Sequence, residues 1–84
     1  MAKTTKIERT QTGIRIEKRL LKVMKGTAEY LDMSLGDLVE GIVLHAFDGK
    51  TPPFNDETLK KIMTLKEVYD CDLDASLSHK MTED

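Results

Sequence analysis

The sequence predicts a mainly α-helical fold with one short strand that must find its partner in a second chain. Three observations carry this expectation. Residues 9–16, Arg-Thr-Gln-Thr-Gly-Ile-Arg-Ile, alternate with the two-residue period of a strand. Later apolar residues recur at three- and four-residue spacing, so the chain offers no second strand. With 84 residues, 39% hydrophobic content and no Trp, a monomer would have a small aliphatic core, a shortage that association commonly remedies. A lone strand leaves N–H and C=O groups unpaired along both edges. Its simplest partner is the same strand of a second copy, giving a two-stranded ribbon.

Residues 1–8 lack periodicity and read as a flexible basic arm. In the strand, Thr10, Thr12, Ile14 and Ile16 share one face; all are β-branched, as suits a half-buried strand. Arg9, Gln11, Gly13 and Arg15 share the other face. Glu17 then opens a helix, where its charge suits the positive N-terminal end. Leu20, Leu21, Met24, Ala28 and Leu31 form its apolar stripe, with Val23 at the edge and Lys18, Arg19, Lys22, Lys25 and Glu29 mostly opposite. Gly26 sits mid-helix at a cost of up to ~1 kcal/mol relative to Ala. It either admits a close neighbour or simply weakens the helix, which is expected to end between Tyr30 and Asp32.

Ser34 is a suitable N-cap for a second helix, with Asp37 three residues on. Leu35, Leu38, Val39, Ile42, Val43, Ala46 and Phe47 give this helix the clearest periodicity in the chain. Gly41 is a second point where backbones could approach, and Gly49 is placed to terminate the helix. Thr51-Pro-Pro-Phe reads as a linker. Asn55 or Asp56 caps a third helix with a thinner stripe of Leu59, Ile62, Met63, Lys66 and Tyr69, flanked by Leu65 and Val68. An acidic end follows from residue 70, with one turn expected near Ala75 to His79. The expected units are the arm (1–8), a core domain (9–49) and an extension (50–84).

Net charge is −2, but it is unevenly spread. Residues 1–25 hold eight basic and two acidic side chains, a net of +6, while residues 26–84 hold five Lys and thirteen acids, a net of −8. One face is thereby suited to an anion and another turned from it. The plainer reading is a solvated basic helix face beside an acidic tail.

Several function classes find no support. No apolar run approaches the ~20 residues of a membrane helix, and the N-terminus leads into no signal-like stretch. The lone Cys71 cannot form an internal disulfide, and one Cys with five Met fits a reducing cytoplasm. His45 and His79 have no partners at metal-ligand spacing. Residues 70–74, Asp-Cys-Asp-Leu-Asp, begin like a calcium loop, but Ala75 stands where Gly is needed and Met81 where Glu is needed. No catalytic triad, Walker or dinucleotide pattern is present, so neither an enzyme nor a bound cofactor is expected.

The succession of strand, basic amphipathic helix, short turn with a Ser cap and apolar helix resembles the ribbon-helix-helix family, which includes the Arc and methionine repressors. The resemblance runs from about Arg9 to Phe47. It rests on Thr12-Gly-Ile-Arg-Ile-Glu-Lys-Arg-Leu-Leu, on Tyr30-Leu-Asp-Met-Ser-Leu-Gly-Asp-Leu-Val-Glu and on the helix that follows. It implies a homodimer in which two strands form an antiparallel ribbon above four interlocked helices, with the third helix an addition. Ile14, Ile16, Leu20, Leu38, Val39, Ile42, Val43 and Phe47 would then serve the dimer interface.

The resemblance also implies that the ribbon enters the major groove of double-stranded DNA, with Gln11, Gly13 and Arg15 at the base-reading positions. Arg15 suits guanine O6 and N7, and Gln11 suits adenine N6 and N7. Gly13 departs from the family pattern, since it has no side chain to read with. Phosphate contacts are expected from Arg9, Lys18 and Arg19, and from the helix start at Ser34, Leu35 and Gly36, with Asp37 working against an anion there. Lys22 and the arm residues Lys3 and Lys6 could add to them. The implied function is a cytoplasmic transcriptional repressor, with neighbouring dimers side by side on an operator. Two alternatives remain open: an antitoxin whose residues 50–84 bind a protein toxin, and an interaction module of the same fold that does not bind DNA.

Overall fold

The computed structural model describes residues 5–50 and 53–83. Lys3 of the arm, Thr51 and Pro52 of the linker, and Asp84 lie outside them. The fold is mainly α, with three 13-residue helices: α1 (Lys18–Tyr30), α2 (Leu35–Phe47) and α3 (Asp56–Val68). A single 3₁₀ turn, Ala75–Leu77, follows where one turn was expected. Among the described residues there is no strand, and residues 5–17 carry no regular structure. The expected strand therefore does not form within one chain. A strand exists through hydrogen bonds to a neighbour, and the rest of the described chain consists of helices and turns.

Local chemistry sets every helix boundary. Helix starts leave backbone N–H groups without partners, and here a side chain accepts one of them each time. The Glu17 carboxylate accepts the Leu20 N–H at 2.9 Å, Ser34 Oγ accepts that of Asp37 at 3.1 Å, and Asn55 Oδ1 accepts that of Thr58 at 2.8 Å. Asn55, rather than Asp56, is thus the third cap.

All three helices end in the same paired hydrogen bonds, with one residue in the left-handed region. That residue is Asp32 (φ 56°) after α1, Gly49 (φ 70°) after α2 and Asp70 (φ 51°) after α3. In α2 the Gly49 N–H donates to Ala46 at 3.1 Å and the Lys50 N–H to His45 at 2.8 Å. In α3 the Asp70 N–H donates to Glu67 at 3.2 Å and the Cys71 N–H to Lys66 at 2.8 Å. Closing the helix this way turns Cys71 inward, where it is buried.

α1 is the central element and packs against both α2 and α3. Three contacts fix the second pairing. Lys22 lies over the Tyr69 ring at 5.9 Å, Gly26 faces Leu65, and Lys61 lies over the Tyr30 ring at 5.7 Å. Each step of four residues up α1 meets a step of four down α3, so the helices run antiparallel along one row of each. A Cβ on Gly26 would stand 3.0 Å from Leu65 Cδ2. Of the two readings of Gly26, close approach is the one observed.

This pairing rotates α1 away from the face its apolar pattern suggested. Its buried residues are Val23, Thr27 and Ala28. Thr27 tolerates burial because its hydroxyl donates to the Val23 carbonyl at 2.8 Å. Leu21 and Met24 are only half-buried, and Leu20 is exposed. Met63 of α3 also points outward.

The resulting core is thin. Among the described residues, besides Thr27 and Thr58, only Val23, Ala28, Leu38 and Cys71 are buried. α2, the most apolar helix, contributes Leu38 alone. Leu38, expected at a dimer interface, is already buried within one chain. In contrast Ile14 is 72% exposed, Leu44 62% and Phe47 83%. Gly41 faces open space. No helix among the described residues is long and apolar enough to cross a membrane.

Two stability outcomes follow. Asp32→Gly and Asp70→Gly should each raise unfolding free energy by up to about 1 kcal/mol, because glycine enters the left-handed region without strain. Gly26→Val should lower it by about 1–3 kcal/mol, because a branched Cβ wedges α1 from Leu65. Urea unfolding followed by circular dichroism measures both.

Candidate nucleic-acid interface

Residues 8–16 run along an open groove of about 740 Å³ whose far wall is Leu21 and Met24 of α1 with Leu35, Gly36, Val39 and Glu40 of α2. Ile16 is half-buried beside it, and Ile14 is largely in solvent. The three expected base-reading positions, Gln11, Gly13 and Arg15, are all exposed. Nothing lies within 4 Å of where a Gly13 Cβ would stand, so packing within the chain does not require glycine there.

The three arginines are the basic residues that the fold engages with carboxylates. Arg9 presents a fork to Glu40, with Nη2 donating to Oε1 at 2.8 Å and Nε to Oε2 at 3.0 Å, and reaches Asp37 at 3.3 Å. The Arg9 hydrogen bond holds the Glu40 carboxyl below its ordinary pKa. Arg19 donates to Glu17 at 3.1 Å, to the Asp70 carbonyl at 3.1 Å and to Asp72 at 3.3 Å. It ties the start of α1 to the chain leaving α3. Arg15 pairs with Glu83 in the C-terminal tail. No lysine among the described residues forms an ion pair. Lys18, Lys22 and Lys25 are exposed on α1.

Ser34, Leu35 and Gly36 begin α2 as expected. The shallow cleft beside them is mostly acidic: Glu29, Asp32 and Asp37 share it with Lys25. Asp37 is also one of the carboxylates that hold Arg9. The helix start therefore offers N–H groups to an anion while its surroundings oppose one.

Sequence reasoning missed Glu40, Asp72 and Glu83 as residues that govern the arginines. Their pairings span 31, 53 and 68 positions, beyond any local pattern. Elsewhere, His45 donates from Nδ1 to the Gly41 carbonyl at 2.7 Å, and Cys71 is a free thiol. No group of three or more potential metal ligands occurs among the described residues.

Compared with known proteins, the chain matches no protein-family model, no curated protein and no solved structure.

The cap of α1 gives a pH dependence. Glu17 has its pKa lowered from 4.5, first by the Leu20 N–H bond and then by Arg19. A carboxyl with a depressed folded pKa stabilises fully above its unfolded pKa and loses that contribution as pH falls through the folded value. Helix content should therefore drop below about pH 4, and Glu17→Gln should flatten that part of the profile. Circular dichroism across pH 2–6, roughly the carboxylate range, reads it out.

Proposed function

We propose that the chain is a homodimeric, sequence-specific DNA-binding regulator of transcription, most simply a repressor. The carrying observation is the placement of residues 8–16. Gln11 and Arg15 stand exposed, with Thr10, Thr12 and Ile14, on a segment that runs along a groove the chain itself does not fill. A second copy would supply both missing parts: a strand edge for the unpaired backbone, and an apolar face for Ile14, Ile16, Leu20, Val39, Ile42, Val43 and Phe47. Burying each large apolar side chain contributes roughly 1.5–3 kcal/mol. Ile14, Leu20, Val43 and Phe47 of this set are exposed and the others half-buried, so the surface left for a partner matters beside the thin internal core.

In that dimer two strands form an antiparallel ribbon, and a two-stranded ribbon fits the major groove. Arg15 and Gln11 from each copy read bases. Gly13 lets the ribbon centre approach closely but contributes no side-chain contact. Lys18, Lys22 and Lys25, in no ion pair among the described residues, are the supply of phosphate contacts, with Lys22 also over the Tyr69 ring; such contacts set affinity and salt dependence rather than sequence choice. Arg9 and Arg19 would first have to leave Glu40, Asp37, Glu17 and Asp72, so their phosphate roles are secondary. The packing of α3 on α1 supports a reading in which residues 53–83 complete the body of the regulator rather than wrap a toxin.

Selection of bound genomic fragments, followed by titration of the enriched duplex, tests the proposal. Affinity should fall steeply from about 50 to about 200 mM salt. Arg15→Ala should weaken the selected duplex by about 10- to 100-fold per copy and random duplex much less, since a bidentate base contact is worth roughly 1–3 kcal/mol. Salt-independent binding, or equal losses on both duplexes, would reject it.

A further inference from the structure

We propose that the acidic C-terminal tail is an intramolecular competitor for the DNA-reading surface, with Glu83 holding the guanidinium of Arg15 in the free protein. This inference rests on the DNA-binding reading. The contact is more than one ion pair. Met81, Thr82 and Glu83 share a concave surface with Ile14, Arg15, Ile16, Lys18 and Leu21, so the tail lies along the end of the proposed reading segment and the start of α1.

The fold delivers the tail there. Asp70, in the left-handed region, turns the chain at the end of α3, and Cys71 is buried. Arg19 then grips the Asp70 carbonyl and Asp72. Asp74 caps the 3₁₀ turn by accepting the Ser76 N–H at 2.9 Å. These contacts redirect the chain toward the first turn of α1, next to Arg15.

The chemistry of competition is direct. A guanidinium presents its donors in one planar fork, and a carboxylate on that fork excludes the guanine edge. The Arg15 and Glu83 side chains are 84% and 73% exposed, so their pairing is weak and screened by salt. A weak competitor suits the task. A bidentate guanine contact displaces it at small cost, and only DNA that engages Arg15 bears that cost. The tail's charge also repels phosphate. Its expected effect is thus to lower specific binding at least as much as non-specific binding.

The test compares the full chain, deletion of residues 81–84, Glu83→Gln, Arg15→Ala and the Glu83→Gln/Arg15→Ala double variant on a selected duplex and a random duplex. Deletion and Glu83→Gln should tighten selected-duplex binding by about two- to twenty-fold for a dimer at low salt. The gain should be smaller on the random duplex, shrink at higher salt, and fall to the residual charge effect when Arg15 is Ala. A DNA-free readout separates the two claims: the Arg15 guanidinium Nη–H resonance, from the nitrogen that donates to Glu83, should shift on Glu83→Gln. An unmoved resonance, or unchanged or weaker DNA binding by the deletion, overturns the tail's role. A shifted resonance in a protein that binds neither duplex overturns the DNA-binding reading and the competition that rests on it.

Discussion

The close approach of α1 and α3 at Gly26 organises the rest of the chain. Because Gly26 has no side chain, Leu65 packs directly onto the α1 backbone, with Lys22–Tyr69 and Tyr30–Lys61 on either side. One face of α1 is thereby satisfied internally. The Leu21 and Met24 face is turned toward residues 8–16, where there is too little chain to cover it. The same packing returns the end of α3 to the beginning of α1, which brings Asp72 to Arg19 and the tail to Arg15. The open groove and the tail contact share one cause.

The unfilled groove bears on stability. A chain this size has little surface to bury, and here much of the richest apolar helix is left outside the core. Phe47 and Leu44 at the end of α2 illustrate it, since each is more than half exposed while Leu38, about two turns earlier, is buried. Under the proposed function this is the division between a protomer's own core and the surface reserved for its partner. α3 belongs to the first and residues 9–16 with the second half of α2 to the second.

Boundaries were legible in the sequence because they depend on local chemistry. Ser34, Asn55 and Gly49 each act through neighbours a few residues away, and the end of α1 falls at Tyr30 within the expected range. Faces were less legible. Apolar periodicity put Val23 at the edge of the α1 stripe and left out Thr27. Yet both are buried, since Thr27 returns its hydroxyl to the helix backbone and Gly26 draws that side toward α3. The candidate site was legible only as positions. Gln11, Gly13 and Arg15 are exposed, but so are Thr10, Thr12 and Ile14 of the face expected to be half-buried, and carboxylates from distant parts of the chain hold each of the three arginines. The +6 of the first 25 residues is therefore partly spent on internal pairs, and the lysines carry most of what remains available to an anion.

The central claim is that residues 9–16 become a strand only against a second copy. Amide hydrogen exchange of these residues, measured from dilute to concentrated protein without DNA, tests it most directly. The account predicts protection at alternate amides that appears together with association and is lost on dilution, while α1 and α3 stay protected to lower concentration. Exchange at the rate of unstructured chain at every concentration, or protection that does not depend on concentration, would contradict it.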